Sequence, residues 1–308
     1  MNTQRRPVLE PEYGPAHVEF TPEMKKTHTI LVPMMLPIHF EMLCEIFRQQ
    51  GYKVELLRTT HRGIVDEGLK NVHNDTCYPA LLVIGQLMDA LKSGKYDLHH
   101  TALLITQTGG GCRASNYLSL LRKALHNAGM GYIPVVSLNF SGLEKNSGFR
   151  VSTPTLVKAA FALTYGDMLM WLSNQCRPYE KNPGETQRVV DRWTQELTNQ
   201  CRSPRFLFVE KNFRRILRDF SAIQLVEKPH VRVGIVGEIY MKYAALGNNA
   251  LEDFLVSQGR SRWCQGYRTL CCTACATACS TTASMGSIPQ RVLSGTWRGA
   301  TCSHARSR

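Results

Sequence analysis

The chain has 308 residues, enough for one large or two ordinary domains, and its 43% hydrophobic and 20% charged residues are typical of a globular protein. It has no run of about 18 apolar residues, and its N-terminus lacks the apolar segment of a secretory signal, so we expect no membrane span and a cytoplasmic location. The net charge of +13 is concentrated in residues 259–308, which contain seven Arg and no Asp, Glu or Lys. The remainder is only mildly basic and carries no nucleic-acid-binding motif, so we expect no nucleic-acid partner.

Apolar runs of strand length alternate with segments of helical periodicity through the first half of the chain. This alternation predicts an α/β fold, with a flavodoxin- or Rossmann-like parallel sheet over residues 28–150. Residues 1–27 precede it as an N-terminal arm or linker, and the stretch around Gly63 and Gly68 is left without a predicted element. The predicted strands cover residues 29–35, 53–57, 101–107 and 132–140, and the predicted helices cover roughly residues 37–51, 79–91 and 114–126.

The pattern becomes helical in residues 151–230, where helices are predicted at 185–200 and 209–220. A strand within 231–240 and a helix after it then predict the start of a second, truncated α/β domain over residues 231–258.

Residues 259–308 form a tail of different character. It holds six of the 11 Cys, has no Asp, Glu, Lys, Asn or Phe, and shows neither helical nor strand periodicity. We interpret it as out-of-frame translation after a frameshift near codons 257 to 260, and we expect it to supply no further strand. The alternatives are a divergent disordered tail or a metal site formed by Cys272, Cys275 and Cys279.

Cys77 and Cys112 each lie where a loop enters a predicted helix. Ligands of open parallel sheets collect beyond the carboxyl ends of the strands, and the positive end of a helix favours a thiolate. The glycines at 109–111 add backbone donors that suit sulfide or phosphate equally. The residues therefore support either one shared site or two separate buried thiols. The remaining body cysteines, Cys44, Cys176 and Cys201, are expected to serve packing.

Four segments carry a family resemblance. They are HNDTCYPALLVIGQL, ITQTGGGCRASNY, GDMLMWLSNQCRPYE and VRVGIVGEIY. Together they resemble the 2-hydroxyacyl-CoA dehydratase superfamily, and in particular the dehydratase-like region of acyl-CoA dehydratase activase-related proteins (CoA-substrate-specific enzyme activases). The resemblance covers about residues 12–258.

The resemblance implies flavodoxin-like domains that hold a [4Fe–4S] or double-cubane iron–sulfur cluster through cysteine thiolates. An ATP-hydrolysing activase would supply low-potential electrons, and an acyl-CoA would be the substrate. Carried over by motif, Cys77 and Cys112 would be cluster ligands. A third ligand has no secure match; Cys176 is one candidate, and a position lost with the C-terminal domain is another. The residues that would line the cluster or substrate pocket are Gly109, Gly110 and Gly111.

Two further polar residues lie near these motifs. Arg113 would neutralise cluster charge or bind a CoA phosphate, or else face solvent as a cation in the first helical turn. His73 would contact the cluster or a thioester, or else serve as a capping or surface residue. The expected function is thus that of a dehydratase-like iron–sulfur protein. The alternatives are a CoA- or nucleotide-phosphate-binding module without a cluster, and an inactive fragment.

Overall fold

A four-stranded parallel sheet organises the first part of the structure. The computed structural model describes residues 17–73, 75–107, 116–139, 147–226 and 231–263. All of them lie in the first of the two units into which the chain divides, residues 1–270 and 271–308. The strands are β1 (Thr29–Val32), β2 (Lys53–Leu56), β3 (Thr101–Gln107) and β4 (Val135–Asn139). Their order is β2-β1-β3-β4 with every neighbouring pair parallel, which confirms the predicted α/β class.

The two faces of this sheet are both buried, as expected where helices cover both sides of parallel strands. Leu31 and Leu103 pack on one face, and Ile30 and Ala102 pack on the other, because successive side chains of a strand alternate. Each of these four side chains is 0% exposed. This double burial explains why the strands appear in the sequence as continuous apolar runs.

Helices connect the strands and cover the sheet. After the short α1 (Met24–Thr27), these are α2 (Pro37–Gln49), α3 (Gly63–Asn71), α4 (Tyr78–Lys92) and α5 (Tyr117–Asn127). Helices α4 and α5 pack on one face, and α2 packs on the other. The chain therefore changes face between β1 and β3, because the helix that follows β1 packs on one face of the sheet and the helix that follows β3 packs on the other. Such a switch point is where open α/β sheets bind their ligands.

Helix α3 occupies the stretch around Gly63 and Gly68 for which the sequence predicted no element. Glycines allow close contact between α3 and α4. A Cβ atom on Gly68 would overlap the carbonyl oxygen of Leu81, and a Cβ atom on Gly85 would overlap that of Ile64. The absence of side chains thus lets α3 lie directly on α4, so that α4 is buried between α3 and the sheet.

Part of the predicted N-terminal arm packs against the sheet. Phe20 is 0% exposed and lies among side chains of β1, β2 and β3. Residues 1–16 of the arm lie outside the described residues.

Three long helices follow the sheet and share a second core. They are α6 (Thr153–Cys176), α7 (Glu185–Gln200) and α8 (Val209–Ser221), and the predicted bounds of the last two agree closely with the structure. Tyr165, Trp193 and Ile216, one from each helix, meet in this core with at most 1% exposure. We call these helices the helical segment.

A short parallel strand pair ends the described structure. It consists of β5 (Arg232–Gly234) and β6 (Ser261–Trp263), connected through α9 (Ile239–Tyr243), α10 (Ala245–Asn248) and α11 (Leu251–Ser257). The predicted strand and following helix are therefore present. The expectation that no strand follows residue 258 is wrong, because Ser261–Trp263 pairs with β5 and completes a strand–helix–strand unit. The frameshift interpretation of residues 259–308 stays a prediction.

Candidate functional site

A buried amide of α4 joins the loops that leave the carboxyl ends of β1 and β2. Gln86 of α4 is 0% exposed, accepts a hydrogen bond from the Met34 backbone N–H (3.2 Å) and donates one to the Thr59 carbonyl oxygen (2.9 Å). Met34 follows β1 and Thr59 follows β2. A buried amide with both ends satisfied fixes its neighbours, so Gln86 sets the position of α4 relative to both loops.

Cys77 lies at the N-terminus of α4 as its N-cap residue. Its backbone is extended (φ −64°, ψ 147°), and Pro79 occupies the first turn of the helix, where a missing N–H is harmless. The Cys77 side chain is half-buried and makes no capping hydrogen bond to the helix. Its sulfur therefore does not cap α4, although it lies next to the positive end of this helix.

The Cys77 sulfur contacts the start of the next helix. Cys77 Sγ lies 3.1 Å from Tyr117 Oη, and either atom can donate the hydrogen bond. Tyr117 is the first residue of α5, is 9% exposed, and directly follows the loop that contains the glycine motif. Helices α4 and α5 thus begin side by side, so the polypeptide arriving from that loop enters α5 against Cys77. Sequence reasoning missed this role of Tyr117, although it is the last residue of the segment ITQTGGGCRASNY.

A second tyrosine from a distant part of the chain joins the same apolar cluster. Tyr240 of α9 is 6% exposed and packs in the cluster that contains Tyr117 and against which Cys77 packs. Its hydroxyl oxygen has no hydrogen-bond partner among the residues that the structure describes. Burial, followed by the nearby Glu238 and Tyr78, raises the pKa of Tyr240 above its ordinary value, so this phenol stays protonated. No sequence signal distinguished it from an ordinary apolar position.

The other predicted site residues fall into two groups. Gly109, Gly110, Gly111, Cys112 and Arg113 lie outside the described residues, as do the tail cysteines Cys272, Cys275 and Cys279. His73 is described: its side chain is 73% exposed and its Nδ1 lies 3.3 Å from Asp75 Oδ2, so it is a surface residue here.

Cys176 is placed apart from Cys77. It is 7% exposed and packs in the core of the helical segment, whereas Cys77 packs against the cluster beneath α4 and α5. Burial, followed by the nearby Glu180, raises the pKa of Cys176 to about 11, which disfavours the thiolate that a metal requires. Within the described ranges, no three His, Cys, Asp or Glu side chains form a group that could hold a metal ion.

Cys44 and Cys201 are packing residues, as expected from the sequence. Each is at most 2% exposed, and burial is the main factor that raises the pKa of each thiol to about 12. Of the four cysteines described, Cys77 alone combines partial exposure with a place at a helix N-terminus. Its donor chemistry fits iron, because cysteine sulfur is the usual ligand of iron–sulfur clusters and the Tyr117 phenol can donate a hydrogen bond to this sulfur.

The comparison with protein families relates this chain to CoA enzyme activases. A family model described as "CoA enzyme activase uncharacterised domain" matches residues 30–98. The matched segment runs from β1 through α4, so it contains Cys77 and ends before the glycine motif. Searches of curated proteins and of solved structures gave no match. Among the described residues, the helices lack the combination of length and apolar character that crossing a membrane requires.

Proposed function

We propose that this chain is a 2-hydroxyacyl-CoA dehydratase-related iron–sulfur protein, with Cys77 and Cys112 as cluster ligands, that receives low-potential electrons from an ATP-hydrolysing activase. The contact between Cys77 Sγ and Tyr117 Oη carries the proposal. Cys112 precedes Tyr117 by five residues, so α5 begins against Cys77 shortly after the chain passes the second cysteine. The family match to a CoA enzyme activase domain supports the same relation.

The local electrostatics also support a thiolate-held cluster. Such a cluster carries negative charge, and the N-termini of α4 and α5 supply positive ends at the same place. The [4Fe–4S] or double-cubane group, when bound, supplies single electrons at low potential. Tyr117 would donate a hydrogen bond from its hydroxyl group to the Cys77 sulfur. Gly109, Gly110 and Gly111 would admit the backbone close to the group, and Arg113 would neutralise charge on it or on a CoA phosphate.

The test is the iron and acid-labile sulfide content of the full chain prepared without oxygen. We expect stoichiometric iron in the unaltered chain and its loss in Cys77→Ala and in Cys112→Ala. Cys44→Ala is the matched control, since this buried thiol has a pKa raised to about 12 and should leave the iron content unchanged. Thermal melts of each variant establish that it has folded.

Tyr117→Phe adds a second readout that a purely structural role would not change. Because hydrogen bonds to cluster sulfurs help to set the reduction potential, removal of the hydroxyl should leave iron bound and lower that potential. Equal iron loss in the Cys44→Ala control, or no iron in any preparation, would refute the cluster.

A phosphate site is the second candidate, and one observation favours it. The α5 N-cap residue, Asn116, makes no side-chain capping hydrogen bond to α5, so its side chain does not occupy the positive end of this helix, which favours an anion. A chain that holds no iron, yet is stabilised against heat by coenzyme A with a response lost in Arg113→Gln, would establish this alternative.

A further inference from the structure

A second site candidate lies in the helical segment, away from the residues discussed so far. Helices α7 and α8 and the turn between them, which includes Pro204–Leu207, enclose an open cleft of about 940 Å³. This volume is at the upper end of the range of roughly 300–1,000 Å³ that small-molecule sites occupy. None of its lining residues belongs to α4, α5 or the glycine motif, so it does not depend on the proposed function.

The charge of this cleft is strongly positive. Arg192, Arg205, Lys211 and Arg215 line it, and Glu196 is the one acidic residue among the lining side chains. That carboxylate is already engaged by Arg215 at 2.7 Å. An anion that enters the cleft would therefore meet an excess of cations in a partly enclosed space, where charge interactions are screened less than on an open surface.

Two of these cations are uncommitted. Arg192 forms an ion pair with Asp219 outside the cleft at 2.8 Å. By contrast, the side chains of Arg205 and Lys211 are exposed and have no ion-pair or hydrogen-bond acceptor among the residues that the structure describes. Lys211 also lies in the first turn of α8, whose N-cap residue Phe208 makes no side-chain capping bond, so the positive end of this 13-residue helix adds to the same field.

Two side chains that line the cleft are held in place by contacts within the protein. Asn212 is 3% exposed and donates hydrogen bonds to Tyr165 Oη and to Gln200 Oε1, each at 2.9 Å. The Arg215 guanidinium lies over the Trp193 ring, 4.9 Å from its centre. Both contacts fix lining side chains without a ligand, and such preorganisation lowers the entropic cost of binding.

An exposed aromatic ring completes the cleft. Phe208 lines it and is 57% exposed, although a ring of this size is ordinarily buried. A ring beside uncommitted cations suits a ligand with a flat base and several phosphates, since bases stack on aromatic side chains and phosphates bind Arg and Lys. We propose that this cleft binds a nucleotide that carries a diphosphate. A free nucleoside diphosphate and the nucleotide end of coenzyme A share this chemistry.

The number of aromatic rings in the cleft favours a single nucleotide over a nucleic-acid strand. Phe208 is the one aromatic residue among those that line it, whereas single-strand sites offer successive rings along a longer groove. A strand would therefore find one stacking position.

The test is calorimetric binding of ADP, coenzyme A and inorganic pyrophosphate to the full chain, with and without iron. The double variant Arg205→Gln, Lys211→Gln should weaken binding roughly tenfold, as expected for two partly exposed charge contacts. Arg188→Gln, Arg214→Gln is the matched control: it removes the same charge from α7 and α8 outside the cleft and should bind as the unaltered chain does. Phe208→Ala should weaken ADP binding and leave pyrophosphate binding unchanged.

The arms of this experiment separate the sources and the competing ligand classes. Tighter binding of coenzyme A than of ADP would identify the coenzyme as the source of the nucleotide, and the reverse would identify a free nucleotide. The proposal is overturned if neither binds below millimolar concentration, if the control double variant loses as much affinity, or if a single-stranded oligonucleotide binds while ADP and coenzyme A do not. Binding by the iron-free chain keeps this result distinct from the fate of the cluster.

Discussion

The crossing of α3 and α4 should be intolerant of a single added methyl group. In Gly85→Ala the new Cβ would overlap the carbonyl oxygen of Ile64, a main-chain atom that cannot turn aside as the end of a side chain can. Overpacking of this kind costs about 1–3 kcal/mol, and we take the upper end because backbone must move. Alanine regains about 1 kcal/mol in helix propensity. The expected net loss in the free energy of unfolding is therefore about 2 kcal/mol.

Urea unfolding followed by circular dichroism would measure this loss. Gly131→Ala is the control, because a Cβ there meets only ordinary contacts with His126 and its φ is negative or extended. A Cβ on Gly85 would also lie 2.9 Å from the Gly68 backbone nitrogen, so the two glycines lie opposite each other in the same contact between α3 and α4. The double variant Gly68→Ala, Gly85→Ala should cost less than the sum of the single variants. Full additivity, or a Gly85→Ala variant as stable as the control, would refute the close-packing argument.

Two further predictions concern thiol reactivity and pH. In the native chain without iron, Cys77 should be alkylated by iodoacetamide faster than the buried thiols of Cys44, Cys176 and Cys201 when modification is followed peptide by peptide. Equal rates would contradict the burial described. The carboxylate of Glu180 accepts hydrogen bonds from the backbone N–H groups of Gly184 (2.6 Å) and Thr186 (2.8 Å). Burial alone would raise the pKa of Glu180, but hydrogen bonding to the carboxylate outweighs burial and lowers this pKa. A lowered folded-state pKa stabilises the chain above the unfolded-state pKa, and this contribution is lost as pH falls through the folded-state value. Glu180→Gln should therefore reduce stability by about 1–2 kcal/mol at pH 7, and urea titrations should show this loss shrinking as the pH falls through the folded-state pKa, whereas a pH-independent loss would contradict it.

The sequence predicted the elements whose burial leaves a regular pattern. Strand β3 is a continuous apolar run because both of its faces are covered, and α7 and α8 show one apolar face toward their shared core. Helix α3 could not be predicted in this way, since Gly68 disfavours a helix locally and is accommodated only through contact with α4. Strand β6 was likewise missed, because three residues are too few to show a period and their pairing with β5 is a tertiary contact.

The candidate site was predictable in its residue types and not in its neighbours. The structure confirms the predicted place of Cys77 before a helix, and its role as a ligand stays a prediction. The approach of Tyr117 depends on how α4 and α5 pack side by side, and the presence of Tyr240 depends on a segment more than a hundred residues further along the chain. Neither relation is encoded in local spacing, so only a structure could supply them.

The position of Tyr117 also bears on how far the family relation extends through the site. The family model ends at residue 98, so it covers the half of the site that carries Cys77 and leaves the glycine motif outside. The contact between Cys77 and Tyr117 joins these halves, because Tyr117 is the first residue of α5 and the glycine motif lies shortly before it in the sequence. A ligand held by Cys77 would therefore also meet the N-terminus of α5. An iron–sulfur cluster and a phosphate both carry the negative charge that two helix N-termini favour, so electrostatics alone cannot separate the two candidates. Dependence on the Cys77 thiol does separate them, because a cluster requires the Cys77 sulfur, whereas a phosphate requires only the backbone around it. Loss of ligand in Cys77→Ala is consequently the result that discriminates between them.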